Sequence, residues 1–290
     1  MQIYEINHYK EKLPKLDESV CMIGLFDGIH LGHQELIKHL NTGFSIKKTV
    51  ITFKNLFKDD YYLMDLDLKK EIFADFGIDY LIILDYNNFK NVFYNEFIKL
   101  LKSLSIIKVV VGRDFRFGFQ KEGDLIDLEN NFELDIVPDY YVDNIKISTK
   151  TIKDLLAKGD IESANKYLGR NYIIKGEVIR GRHVGTELGF KTANVDYKNF
   201  KLPKSGAYLV KVKVGDRFYK GIASCSHNPS INYVAKLSLE VHILNFNQLI
   251  YGEKIEIHFE KFLAETIVFR MKEDLIEYLN KLKNIALEND

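Results

Sequence analysis

The sequence predicts an α/β domain built on a parallel sheet, followed by a small antiparallel β-barrel domain that ends in a helix. Two observations carry that prediction. Through the first half, short β-rich runs alternate with helical patterns, whereas after about residue 169 the apolar period falls to two. A glycine-bearing turn, Gly24-Leu-Phe-Asp-Gly-Ile-His-Leu-Gly-His33, also joins an apolar run to a helical pattern near the amino end.

In the first half the β-rich runs fall at 20–25, 48–53, 79–84, 107–112 and 133–138, with helical patterns at about 33–41, 66–76, 92–104 and 124–131 between them. Alternation of this kind puts helices on both faces of a parallel sheet, and ligands bind beyond the carboxyl ends of such strands. The Gly24–His33 turn and the stretch Gly112-Arg-Asp-Phe-Arg-Phe-Gly118 both follow strands, so both can face one cleft. Residues 151–168 read as one or two short helices broken at Gly159-Asp160. Strand patterns follow at 173–180, 206–214, 217–225, 237–246 and 254–260, with turns at Gly215-Asp216 and Tyr251-Gly252 and an amphipathic helix at 271–285. The change of period divides the chain into domains 1–168 and 169–290.

Composition narrows the function classes. Forty-one basic side chains balance 41 acidic ones, which argues against a dedicated nucleic-acid or membrane-surface binder. Residues 171–290 carry 18 basic and 14 acidic side chains, a surplus of four that suits a triphosphate better than a polyanion. Cys21 and Cys225 both sit in apolar runs and imply no disulfide framework. The amino end lacks an apolar signal core and no apolar run approaches membrane-spanning length, so a soluble, cytoplasmic protein is expected.

Two clusters carry chemistry. Strand, glycine turn, then helix is the layout in which N–H groups at a helix start meet a phosphate. His30 and His33 lie three apart, so within a first helical turn their rings would project to one side and could hydrogen-bond a polyphosphate. The spacing His-x-Gly-His is that of the nucleotidylyltransferases, although four residues alone also fit a buried or capping pair. In the second half, Gly185-Thr-Glu-Leu-Gly-Phe-Lys-Thr-Ala-Asn194 places a hydroxyl and an amide oxygen two apart, on one side of an extended segment. Such neutral oxygens suit Mg2+ that takes its other ligands from phosphates, and an ordinary glycine-rich loop is the alternative. In Leu237-Ser-Leu-Glu-Val-His-Ile-Leu244, alternation puts Glu240 on the polar face, where it is either solvated or a general base.

Together with Val111–Gly118, Leu168-Gly-Arg-Asn-Tyr172 and Leu239–Phe246, these strings resemble the bifunctional bacterial FAD synthetases, which join an FMN adenylyltransferase domain of Rossmann-like nucleotidylyltransferase type to a riboflavin kinase domain. The resemblance runs over nearly the whole chain. It implies phosphorylation of riboflavin to FMN and adenylylation of FMN to FAD, with ATP and Mg2+ used twice. His30 and His33 would be catalytic in the first reaction, with Gly24, Phe26, Asp27, Gly32 and Lys153 at the ATP phosphates and Asp114 and Phe115 in the flavin and nucleotide cleft. Glu240 would be the base of the kinase, with Gly185, Gly189, Thr192 and Asn194 at its ATP, and Thr192 and Asn194 holding the metal. Expected partners are these small molecules, with no nucleic acid or membrane, in a monomer or weak homo-oligomer.

Several family positions depart. Lys150 and Lys153 replace a threonine and an arginine, Lys191 replaces a proline, Ser226 falls in an altered Asn-x-Gly-x-x-Pro-Thr stretch, and Ala264 replaces an arginine. Lys153 keeps the charge but loses the two-pronged contact to phosphate. Thr52-Phe-Lys-Asn-Leu-Phe57 lacks the family's Pro-His-Pro. Two alternatives therefore stay open: only one of the two activities is retained, or the chain is a non-catalytic flavin- or nucleotide-binding relative.

Overall fold

The computed structural model describes residues 1–41, 43, 46–55, 61–180, 192–227, 237–266 and 272–288. The chain forms two compact units, Met1–Asp60 with Asp65–Ser148, and Tyr61–Met64 with Thr149–Asp290.

The first unit holds a six-stranded, wholly parallel sheet. Its strands are β1 (Gln2–Ile6), β2 (Ser19–Ile23), β3 (Lys47–Lys54), β4 (Tyr80–Asp85), β5 (Ile106–Gly112) and β6 (Glu133–Val137), in the order β1-β4-β3-β2-β5-β6. The five expected strands all form; β1, unheralded by any strong alternation, adds an edge beside β4. Every residue of β2 is buried, as is Tyr80–Leu84 of β4, which is why both read as unbroken apolar runs. Helices α1 (Leu31–His39), α2 (Leu66–Asp75), α3 (Tyr86–Phe89), α4 (Tyr94–Ser103) and α5 (Leu125–Glu129) connect the strands, and a short hairpin, β7 (Tyr141–Val142) with β8 (Ile145–Lys146), follows the sheet. Chain order reverses between β2 and β5, the switch point at which an open sheet leaves a crevice. Met22 faces Val110, so Gly24 and Gly112 leave the sheet at the same level.

In the second unit, α6 (Thr149–Lys158) and α7 (Ile161–Leu168) precede a closed barrel. Its strands are β9 (Tyr172–Ile179), β10 (Ala193–Asp196), β11 (Gly206–Val214), β12 (Arg217–His227), β13 (Leu237–Ile243) and β14 (Lys254–Ala264), in the order β10-β13-β12-β11-β14-β9. Strand β10 is only four residues long, too short for the sequence pattern to announce it. The compact units part at Ser148/Thr149 because α7 is stitched to the barrel: Asn165 donates to the Phe259 carbonyl at 2.8 Å and accepts from the Tyr172 N–H at 2.7 Å. Gly169 ends α7 in a left-handed conformation, φ 70°. The final helix, α8 (Lys272–Glu288), buries Leu282 and Ala286 against Ala207, Leu209, Ile222 and Leu244. On the barrel exterior the His258 ring at 3.2 Å, with Lys175 at 3.1 Å, holds the Glu256 carboxyl down to about 2 against the opposing effect of burial.

Both cysteines are buried and unbridged, and burial pushes both thiols up. Among the described residues no helix is long and apolar enough to cross a membrane.

Candidate functional site

The turn after β2 is bent by a run of left-handed residues: Phe26 at φ 49°, Gly28 at 91° and Ile29 at 37°. Phe26 and Ile29 are not glycines, so packing must hold them there. Both are buried, and the reason Phe26 fits lies two residues earlier. A Cβ on Gly24 would stand 3.0 Å from the Phe26 ring, so glycine makes room for it. Phe26 then lies edge-on to Phe73 of α2 at 5.7 Å and to His33 at 5.2 Å.

His30 and His33 meet face to face, ring centroids 3.7 Å apart and planes 18° from parallel. The route differs from the one expected. His30 is not in the first helical turn but is the residue capping it, in extended backbone (φ −71°, ψ 172°), and its Nδ1 accepts from the His33 N–H at 3.3 Å. A side chain on the cap can fold back over the helix start, which brings it against a residue three further on. Gly32 permits this, because a Cβ there would stand 3.2 Å from His30 Nδ1. His30 is 5% exposed, and the turn therefore presents a preformed pair of rings at a helix start.

Two side chains to which the sequence pattern assigns no role support this turn. Lys69 of α2 is buried, and its ammonium donates to the Leu25 carbonyl at 2.7 Å and lies 3.4 Å from Thr52 Oγ1. Thr52 Oγ1 itself donates to the same carbonyl at 3.3 Å. The available signal was a lysine four residues before Phe73 on the apolar stripe of α2.

The Gly112–Gly118 stretch follows β5. Phe115 stacks on the buried Phe117, ring centroids 5.8 Å apart, while Asp114 is exposed and lies close enough to Lys146 to help raise that lysine's pKa, after its stronger partner Asp139. Lys150 and Lys153 lie on α6 and belong to the second unit.

In the barrel, Asn194 pairs with Glu240 across β10 and β13, and Thr192 Oγ1 donates to Glu240 Oε2 at 3.4 Å. Opposed residues of an antiparallel pair share a face, as does the residue two back, so hydroxyl, amide and carboxylate meet on one side. The buried residues alternate as expected: Leu239, Val241 and Ile243 point inward and Glu240 does not. Beside them a cavity of about 330 Å3 is lined by Val178, Thr192, Val241, Phe246, Ile250 and Tyr251. Gly185, Gly189 and Lys191 lie outside the described residues. Ser226 hydrogen-bonds Ser238 at 3.1 Å, and Ala264 pairs with Ala207 in the barrel wall.

The donor set at Thr192, Asn194 and Glu240 consists of hard oxygens with one carboxylate, which fits a Mg2+ ion that keeps water and phosphate ligands. Among the described residues there is no group of three or more His, Cys, Asp or Glu that could hold a metal by themselves.

Comparison with known proteins agrees with both halves. An FAD synthetase family model matches residues 12–151, and a riboflavin kinase model matches residues 168–288. The bifunctional riboflavin kinase/FMN adenylyltransferase of Listeria monocytogenes is 34% identical over 90% of this chain and 89% of that protein. The protein of the same name from Bacillus subtilis is 31% identical over 93% and 92%. A crystal structure described as a macrolide-efflux protein from Streptococcus pneumoniae superposes with a TM-score of 0.89 at 27% identity, covering 99% of both chains. That description stands apart from the family models and from the names of the two relatives, which point to the same two activities. The chain belongs to the bifunctional riboflavin kinase/FMN adenylyltransferase family.

Proposed function

We propose that the protein makes FMN from riboflavin and FAD from FMN, spending one ATP on each step, with residues 1–168 serving adenylyl transfer and 169–290 the kinase reaction. The stacked pair of His30 and His33 at the start of α1 is the observation that carries the first activity. The FMN phosphate attacks the α-phosphorus of ATP, a phosphorus–oxygen bond forms, and pyrophosphate leaves. His30 and His33 hydrogen-bond the charge that develops, from positions fixed before ATP arrives. Gly24, Phe26, Asp27 and Gly32 shape the turn that receives the phosphates, and Lys153 is proposed as an ATP-phosphate-binding residue. Asp114 and Phe115 form part of the wall of the same cleft.

The convergence of Thr192, Asn194 and Glu240 supports the second activity. Glu240 takes the proton of the ribityl hydroxyl as that oxygen attacks the γ-phosphorus, and ADP leaves. Thr192 and Asn194 would hold Mg2+, which when bound neutralises phosphate charge. Gly185 and Gly189, outside the described residues, are proposed to bind the phosphates of the kinase's ATP. The 330 Å3 cavity beside Thr192, walled by Val178, Val241, Phe246 and Tyr251, suits a flat aromatic ligand. The enzyme is proposed to work in the cytoplasm, on small molecules alone, as a monomer or weak homo-oligomer.

Incubation with riboflavin, ATP and Mg2+, followed by chromatography of the flavins, tests this reading: both FMN and FAD should accumulate. Supplying FMN in place of riboflavin isolates the first unit. Absence of both products would reject the proposal, and absence of one would leave a single-activity enzyme.

A further inference from the structure

A buried lysine without a full-strength ion pair is costly, because its ammonium must leave water. Lys69 is 6% exposed, and burial pulls its pKa down to about 8. Facing it are Asp27 from the turn and Asp65 from the start of α2, both of which favour the charged form, and the neutral Thr52 hydroxyl from β3. Its shortest contact is with the Leu25 carbonyl, at 2.7 Å. That carbonyl closes the peptide unit leading into Phe26, the first of the three left-handed residues in the turn. One turn further along α2, Phe73 presses on Phe26, and Phe26 presses on His33. Helix α2 therefore grips the turn at two successive residues, by charge at Leu25 and by ring contact at Phe26.

We propose that Lys69 is a positioning residue for adenylyl transfer, holding the strained 25–30 turn, and through it the His30–His33 pair, in working geometry only while its side chain is protonated. A charge-assisted hydrogen bond to a carbonyl is roughly twice as strong as a neutral one. Loss of the proton also removes the attraction to Asp27. The turn then relaxes toward commoner backbone angles, and displacement of a positioning element by an ångström can lower a rate on the order of 100-fold. Adenylyl transfer thus acquires an alkaline limit near pH 8 that riboflavin phosphorylation does not share. The inference rests on the adenylyl-transfer reading of the first unit.

The test uses the full chain, with FAD formation from FMN and MgATP followed from pH 6.5 to 10 as kcat/KM, and FMN formation from riboflavin measured alongside. The wild-type adenylyl-transfer rate should fall above about pH 8, while the kinase rate keeps its own profile. Lys69→Met should lower adenylyl transfer roughly 10- to 100-fold and abolish that limb. Asp65→Asn keeps the cap, since its amide oxygen can still accept from the Leu68 N–H (2.8 Å in the wild type), but removes a charge that favours the ammonium. Its limb should move to lower pH by roughly half a unit. Asp65→Asn decides the matter even if Lys69→Met does not fold. A limb that stays put in Asp65→Asn, or persists in folded Lys69→Met, overturns the role of Lys69. Wild-type protein that makes no FAD from FMN at any pH overturns the parent reading, and this inference with it.

Discussion

The two units bring polar side chains together by opposite means. In the first, ten consecutive residues do the work, because a bent turn folds His30 over the helix start and onto His33. In the second, Thr192 and Glu240 lie 48 residues apart and meet only through the register of β10 and β13. A turn site is bought with backbone strain and must be clamped from outside, here by Lys69 and Phe73. A register site needs no strained residue, but any slip of one residue would turn Glu240 into the barrel. The first design is therefore vulnerable to changes in neighbours of the turn, and the second to changes in strand pairing.

The most damaging tests of this contrast remove one chemical group from each unit. Glu240→Gln should lower FMN formation by roughly 10²–10⁴-fold and leave FAD formation from FMN unchanged. His33→Ala should lower adenylyl transfer by roughly 10²–10³-fold and spare the kinase. Chromatography with each flavin supplied in turn reads both, and equal losses in both reactions would contradict two separate sites. Gly32→Ala is a subtler probe of the clamped turn. The added methyl meets His30 Nδ1 at 3.2 Å, so the ring must yield by a few tenths of an ångström. About tenfold loss of adenylyl transfer is expected, with little change in thermal unfolding, whereas wild-type rates would show that the His30 ring has room to spare.

The smallest expected effect concerns the barrel wall. Glu256 has a pKa of about 2 when folded and 4.5 in its ordinary state, so folding is favoured while it is ionised. That contribution is complete above pH 4.5 and drains away as pH falls toward 2. Glu256→Gln should thus lose roughly 1–2 kcal/mol at pH 7, after allowance for partial exposure and screening. The difference from wild type in urea unfolding should vanish near pH 2. A constant difference across that range would assign the loss to packing instead.

Legibility followed the same contrast. The parallel sheet was readable because its buried strands, such as Val20–Ile23 and Tyr80–Leu84, are continuous apolar runs between helical patterns. The barrel was readable from the two-residue period of β9, β13 and the second half of β11. Strand β1 escaped because only Ile6 is buried, and β10 because four residues carry too little pattern. The stacked histidines were legible as a pair, yet His30's place on the cap was not, since spacing alone cannot distinguish the first turn from the residue before it. Lys69 was missed for a plainer reason: a lysine is ordinarily taken for a solvated residue, and its burial depends on β3 and the turn closing over it.

One consequence of the cap on α1 remains. The His33 N–H is shared between the His30 carbonyl at 2.8 Å and His30 Nδ1 at 3.3 Å, and a neutral His30 ring that accepts through Nδ1 carries its own hydrogen on Nε2. The helix start thus favours one tautomer, in which the ring nitrogen away from the cap is a donor. An asparagine there could mimic the inner nitrogen and keep the helix intact while erasing the outer one, which separates a residue's architectural duty from its chemical one within a single side chain.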